Sequence, residues 1–306
     1  MRHSFLKSSF WALNNILFFA AGITVVVSLF FAWEFIKGPR LVFSGEKVEQ
    51  GDTLIVRLDG SWNAPLEARF GTFGTKPVLF FRHWLSFFAI IGIDAKSKLG
   101  EMPFYIKLVS REELTRKLTI LPRSVNKTKL TIPQKMINQG IGAAALINNI
   151  ISGDKPTLDS AFKILTPKIG FSKSFAEPLN KWIDVGNFGN LRQSPNGSIT
   201  HLGVDLDANL GDPVFSINDG VVQFVDELPN YGKTIIIDHG LGIFSGYLHL
   251  SEIKTVVSSK VKKGEIIGLV GSTGYSLAPH LHFTVKINGA SVDPRKFLDT
   301  VNKFIK

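Results

Sequence analysis

No charged side chain interrupts the chain between Lys7 and Glu34, and residues 10–33 are rich in Phe, Leu, Val and Ala. Roughly twenty apolar residues let a helix span a bilayer, so this stretch predicts a transmembrane helix with some tilt. Trp11 and Trp33 stand at its two ends, where amphipathic rings favour the interface, and Asn14 and Asn15 are polar interruptions near its start. A cleaved signal peptide competes with this reading, but its apolar stretch runs about 7 to 15 residues and ends at small residues. This run is longer, and bulky Phe30, Phe31 and Trp33 crowd its exit. The expectation is therefore a cytoplasmic tip and single-pass anchor over residues 1–40. Arg2 and Lys7 before the span and Lys37 and Arg40 after it do not by themselves orient it.

The net charge of +10 is spread unevenly over the 306 residues. Residues 1–172 carry 22 Lys and Arg against 12 Asp and Glu, whereas residues 173–306 carry 13 of each. A nucleic-acid enzyme places its basic surface around its chemistry. Here the candidate chemistry lies in the neutral half, so nucleic acid is not an expected partner. The basic half suits anionic lipid head groups or an acidic polymer. The absence of cysteine excludes a disulfide framework, a thiolate metal site and a cysteine nucleophile.

Behind the anchor, residues 41–132 read as a small β domain. A Gln-Gly-Asp turn signal (50–52) precedes the β-rich run at 53–58, and further strands are expected at 78–81, 104–108 and 116–121. Short strands at this spacing suggest a sandwich or partial barrel. The aromatic segment 80–88 reads either as core or as a patch resting on the membrane or on the second domain, with His83 as its polar tip. Residues 133–172 switch to Ala, Ile, Asn and Lys at helical spacing, as in 140–151, and form a helical linker. From 173 to 306 the texture is strongly β, with runs at 214–217, 220–225, 234–238, 243–248, 265–270 and 282–287 and an Asn288-Gly289 hairpin signal. The fold class expected is mainly β: transmembrane helix, sandwich-like domain, helical linker and an antiparallel sheet domain.

Five of the seven histidines fall between 201 and 282. His201 and Asp205 form an H-x-x-x-D pattern. In a straight strand they would lie roughly 13 Å apart, so they share a metal only if the chain bends, which Gly203 permits. His280 and His282 alternate around Leu281 and would project from one strand face, roughly 6 to 7 Å apart. Two histidines and a carboxylate with an open fourth position describe a catalytic zinc site, and a closed structural site would want a fourth ligand. His249 also adjoins leucines at strand spacing, so His249, His280 and His282 should all face away from the core.

The segments His-Leu-Gly-Val-Asp (201–205), Ile-Asp-His-Gly (237–240), Tyr-Leu-His-Leu (247–250), Val-Gly-Ser-Thr-Gly (270–274) and Pro-His-Leu-His-Phe (279–283) resemble the lysostaphin-type (LytM-domain) zinc endopeptidases of peptidoglycan. The resemblance covers about residues 171–298. It implies one Zn²⁺ per chain held by His201, Asp205 and His282, with His249 and His280 as catalytic histidines that orient water and transfer protons. His239 falls in the family's Asp-His-Gly turn and is expected to be structural. The preceding β segment, with Gln-Gly-Asp-Thr-Leu (50–54) and Gly-Ile-Asp (92–94), is similar to the immunoglobulin-like domain some members carry. Tyr-Ser-Leu-Ala (275–278) departs from the small residues common before Pro279, which affects groove shape. Phe-Gly-Asn-Leu-Arg (188–192) loosely matches the family's Phe-Gly-x-Arg entry, with one residue extra.

The function so implied is hydrolysis of peptide cross-links of bacterial peptidoglycan during wall remodelling. The catalytic domain would stand on the periplasmic or extracytoplasmic side of the cytoplasmic membrane, with no regulatory partner assigned. A shielding role for the β domain over the groove is motivated by its basic, aromatic composition. The alternative is a non-catalytic LytM-like wall-binding or activator protein, although all five site positions are filled. A lipoyl-type carrier, suggested by 261–270, is rejected because the tip-like Gly-Ser-Thr-Gly (271–274) has no lysine to modify.

Overall fold

The computed structural model describes residues 38–60, 70–83, 86–108, 111–163, 166–172 and 174–305. The expected anchor at 1–40 falls almost wholly outside them, and among the described residues no helix is long and apolar enough to cross a membrane.

Residues 40–121 form two sheets. One pairs Arg40–Phe43, Thr53–Asp59, Ser86–Gly92 and Phe81–His83, all antiparallel. The other runs Lys47–Glu49, Glu113–Leu121, Gly100–Lys107, Phe70–Phe73 and Lys76–Leu79, its first pair parallel. Leu54, Val56, Leu58, Ala89 and Ile91 of the first sheet meet Phe104, Ile106, Leu118 and Ile120 of the second in a dry core, as facing sheets of a sandwich do. Thr53–Asp59 reads as a near-continuous apolar run because both its faces are covered. Its odd residue, Ile55, points out of the sandwich into a different core, with Leu79, Phe81, Phe88 and Ile90.

That second core belongs to the C-terminal unit. Its main sheet is antiparallel, in the order Asp184–Gly186, Val204–Asp207, His280–Ile287, Ile243–Leu250, Gly232–Asp238, Gly220–Leu228 and Lys260–Val261. Ala290–Val292 folds back on the His280–Ile287 strand through Asn288 and Gly289, both at positive φ (49° and 76°). Two positive φ values at a two-residue connection are what a tight right-twisted hairpin requires.

The chain ends in an element that the β texture concealed, the helix Pro294–Phe304. Asp293 caps it by accepting from the Arg295 and Lys296 amides, and Pro294 occupies the first turn, where no amide partner is lost. Phe297, Leu298 and Val301 bury one stripe of this helix in the core shared with Ile55 and Phe88. The Arg123 guanidinium reaches Asp293 at 2.5 Å, and Lys296 reaches Glu49 and Asp52 at 3.0 and 2.6 Å. In the aromatic segment Phe80 therefore belongs to the sandwich core, while Phe81 and Phe88 make the domain contact: Phe81 meets the edge of Phe171 at 5.9 Å.

Between the two units, residues 127–161 supply a short strand and four short helical segments. Lys127–Lys129 pairs in parallel with Leu191–Ser194, followed by Gln134–Ile137, Ala143–Asn148, a π-helical turn Asn149–Asp154 and Lys155–Ala161. The buried Asp154 carboxylate accepts from the Asn230 backbone amide at 2.6 Å and its side-chain amide at 3.0 Å. These bonds seat the helical segment on the C-terminal sheet.

His239 lies deep in this unit with no exposed surface, Nδ1 at 2.7 Å from the Asp219 carbonyl and Nε2 at 2.8 Å from the Ser245 hydroxyl. Burial pulls its pKa down to about 4, against the opposing pull of Asp219. The unfolded chain, with an ordinary imidazole near 6.5, takes a proton that the folded chain refuses. Stability is thus intact above about pH 6.5 and falls toward pH 4, by ~1.4 kcal/mol per pH unit from this group. In urea titrations at a fixed metal state, a His239→Gln variant should lose that part of the slope between pH 6.5 and 4.

Candidate metal centre

Val204–Asp207 and His280–Ile287 are antiparallel neighbours in which Asp205 stands directly opposite His282. Directly opposed residues share a sheet face with Cβ atoms about 5 Å apart, so the pairing alone brings a carboxylate to an imidazole. Leu206 and Leu281, opposed on the other face, are fully buried and lock the register. His201 comes from outside the strand. The chain bends at 203 after Gly197–Thr200, which carries His201 back over Asp205. A Cβ at Gly203 would sit 2.6 Å from His282 Nε2, and one at Gly186 would sit 2.4 Å from Asp205 Oδ2. Glycine at both places lets backbone approach the site that closely.

Three donor atoms converge. His201 Nε2 is 2.9 Å from Asp205 Oδ1, His282 Nδ1 is 2.8 Å from the same oxygen, and the two nitrogens are 3.0 Å apart. The His201 Nδ1–H donates to the Asn187 carbonyl at 3.0 Å, so its Nε2 presents a lone pair. Electron-rich atoms this close need a shared cation or proton between them. A tetrahedral divalent ion at ~2.0–2.2 Å from N and O ligands holds them roughly 3.3 Å apart. The three groups therefore fit such an ion after a small outward relaxation, and they form a cluster of metal-ligating type. Burial alone would raise the Asp205 carboxyl, but without a metal, protons carried by the His201 and His282 imidazoles outweigh it and hold the group well below the ordinary carboxylate range.

The other two histidines stand beside this triad. His280 Nε2 is 3.6 Å from Asp205 Oδ1, and its Nδ1 lies 2.8 Å from the Ala278 carbonyl and 3.2 Å from the Ser276 hydroxyl. The Tyr-Ser-Leu-Ala segment thus orients His280. His249 arrives differently from the strand alternation expected for it. Tyr247 pairs with Ile235 and Leu250 with Lys233, so Leu248 and His249 together oppose Thr234. This is a β-bulge, and His249 sits in it at φ +63°. Its ring lies 5.0 Å from that of His280 and 5.9 Å from that of His282, with Nδ1 2.9 Å from the Thr273 carbonyl. Burial, reinforced by the neighbouring His280 and His282, holds its pKa well below the ordinary imidazole range. His249 is accordingly a neutral base with Nε2 unprotonated.

In the sequence Arg192 stands out only as part of the Phe-Gly-Asn-Leu-Arg entry motif. In the structure its guanidinium holds the second oxygen of Asp205 at 2.7 Å, leaving Oδ1 for the imidazoles. The signal lay in the Phe-Gly-Asn-Leu-Arg segment, but its target is thirteen residues away. The groove over the site, a cavity of about 250 Å³, is bordered by Ile150, Ile151 and Lys155 of the helical segment. Much of the cover therefore comes from those turns, and the β domain adds Lys96.

Residues 199–294 match the family model described as Peptidase family M23. The chain carries an M23 peptidase domain. Among curated relatives, the DD-carboxypeptidase/endopeptidase Mpg of Neisseria meningitidis is 43% identical over 94 residues, 31% of this chain and 22% of that protein. The peptidoglycan DD-endopeptidase ShyA of Vibrio cholerae is 36% identical over 119 residues, 38% of this chain and 28% of that one. The glycyl-glycine endopeptidase ALE-1 of Staphylococcus capitis is 39% identical over 134 residues, 42% of this chain and 36% of that one. The likeness thus spans between about a fifth and just over a third of these relatives' length. A crystal structure from Pseudomonas aeruginosa described as a peptidase M23 superposes with a TM-score of 0.58 at 23% identity, over 81% of this chain and 94% of that one. Its fold extends well beyond the M23 domain into the preceding residues.

Arg192 gives this centre a measurable signature. Outer partners of metal ligands contribute about 10- to 100-fold in affinity. An Arg192→Ala variant should therefore lose metal to a chelator at about tenfold lower chelator concentration than the unaltered chain, with its far-UV circular dichroism unchanged.

Proposed function

We propose that this chain is a zinc-dependent endopeptidase, one Zn²⁺ per chain, that hydrolyses the peptide cross-links of bacterial peptidoglycan. The observation that carries the reading is the convergence of His201 Nε2, Asp205 Oδ1 and His282 Nδ1 to within 3.0 Å, with two further imidazoles alongside. Relatives named as peptidoglycan and glycyl-glycine endopeptidases support the substrate class. The long uncharged stretch at 8–33 supports a single-pass anchor. A wall substrate then puts the M23 domain on the periplasmic or extracytoplasmic face. The immunoglobulin-like reading of the sandwich rests on its 50–54 and 92–94 segments.

His201, Asp205 and His282 hold the metal, and Arg192 fixes the Asp205 carboxylate so that a single oxygen faces it. The chemistry zinc supplies when bound is activation of water near neutral pH and polarisation of the scissile carbonyl. His249 is positioned to take a proton at Nε2, because its Nδ1–H is committed to the Thr273 carbonyl. His280, with Nδ1–H committed to Ala278, offers a second Nε2 that can take up a proton released by the attacking water and pass it to the leaving amine. The near-complete burial of His201, Asp205 and His249, at 5, 7 and 5% exposure, excludes competing water and strengthens each of these interactions.

The helical segment bordering the groove favours a second reading, a non-catalytic wall-binding or activator protein. Zinc content and release of cross-linked muropeptides by the full chain in detergent separate the two. The expected result is one zinc per chain and cleavage. A His249→Ala variant should keep its zinc and lose about a hundredfold or more in rate. Stoichiometric zinc with no cleavage by the unaltered chain favours the activator instead.

A further inference from the structure

A second cavity, about 610 Å³, opens beside the metal centre where all three parts of the chain meet. The β domain contributes Lys76 and Lys96, the helical segment Lys155 and Lys163, and the M23 domain Lys286. Two aspartates share the lining with five ammonium groups, so the cavity keeps an excess of positive charge. Asp159 is taken by Lys286 at 2.7 Å and by Lys155. Asp94 accepts from the backbone amides of Ser291 at 2.9 Å and Lys96 at 2.8 Å. The ammonium groups of Lys76, Lys96 and Lys163 have no ion-pair partner among the described residues and are left to face the opening.

The cavity adjoins the catalytic groove. Lys96, Lys155 and His282 line both, so a peptide held at the metal centre lies beside it. Its inner surface is apolar, with Leu158, Phe162 and Phe244. An apolar floor under a cationic rim matches an aliphatic side chain that ends in a carboxylate. A purely electrostatic surface for a phosphate polymer would need no such floor.

We propose that this cavity is a carboxylate-recognising subsite, in which Lys76, Lys96 and Lys163 bind the free carboxylates of the acidic peptide whose bond lies at the metal centre. This rests on the endopeptidase reading above and adds which cross-links the enzyme prefers. It also gives the β domain a part in substrate selection, since two of the three lysines are its own. The basic excess of residues 1–172 then has a place beside the groove.

The test uses the full chain, a synthetic cross-linked stem peptide with free carboxylates, and the same peptide with those carboxylates amidated. The unaltered chain should show kcat/KM about tenfold higher for the acidic peptide. That ratio should fall about threefold in Lys96→Gln or Lys163→Gln and close to one in the double variant. It should also shrink as salt is raised from 0.05 to 0.5 M, a range over which exposed charges become screened. All three lysines are solvent-exposed or rim residues, so the variants should fold, which their unfolding midpoints check. Equal kcat/KM for the two peptides, or a ratio that survives in the double variant, overturns the subsite and leaves the hydrolase reading intact. Binding to the chelator-treated chain by calorimetry supplies the other arm. A preference for the acidic peptide there, lost in the double variant but with no cleavage of either peptide by the zinc-loaded chain, supports the subsite and overturns the hydrolase.

Discussion

The opposition of Asp205 and His282 across two antiparallel strands is the constraint on which the rest of the site depends. It is a matter of register, and register is set by the hydrophobic face behind it. Leu206 and Leu281 are both fully buried, and a one-residue slip would bring them to the metal side and send Asp205 and His282 into the core. Such a state would bury a carboxylate without a partner, at a cost of several kcal/mol. The core and the metal site thus enforce one another. Arg192 adds the remaining condition by neutralising the carboxylate from behind without competing for the oxygen that faces the imidazoles.

His249 obeys a different logic. A regular strand would place it on the face opposite Leu248 and Leu250. Instead the bulge at Leu248–His249 turns the ring toward His280, and the backbone accepts a left-handed conformation to do so. Such conformations cost about 1 to 3 kcal/mol and persist only where the surroundings over-determine them. Here the Tyr231 carbonyl takes the His249 amide at 3.1 Å and the Thr273 carbonyl takes Nδ1 at 2.9 Å. Thr273 is itself tied to both flanking strands, accepting from the Lys233 amide and donating to the Leu250 carbonyl. Strain at one residue, held by a network of this kind, pre-organises a proton acceptor beside the metal ligands.

What the sequence made legible follows from the range of the interactions involved. The H-x-H pair was readable because strand alternation is local, and most strands were readable because their apolar runs are bounded by turn residues. His201 was readable as a partner of Asp205 only on the supposition of a bend, which the chain makes at Gly203. Arg192 was not readable as the clamp on Asp205, because that contact joins a hairpin to a strand through space. The C-terminal helix carries a local start signal in Asp293 and Pro294, but it follows directly on a long β-rich stretch that masks it. The position of the helical segment over the groove was also hidden. It depends on Asp154 finding the Asn230 amides, a long-range contact with no local pattern. The uncharged stretch at 8–33 lies outside the described residues.

The contact between the two β units is more than a tether. Ile55, Phe81 and Phe88 leave the sandwich core and join Phe171, Phe175 and Phe297 in one continuous hydrophobic cluster. The Arg123–Asp293 pair and the Lys296 cluster close its edge. A buried ion pair of this kind contributes little net stability against a hydrophobic replacement, but removing either partner is costly, so it acts to fix one relative placement. Asp293 is at the same time the cap of the helix whose Phe297 fills the shared core. Helix start, domain placement and core packing are therefore one coupled arrangement. Because of that coupling, the β-domain backbone that carries Lys76 and Lys96 is seated against the domain that carries the histidines. A surface patch on a loosely tethered domain could add only effective concentration. A patch held at fixed geometry can discriminate between substrates, because a carboxylate in the wrong place leaves its partner lysine unmet.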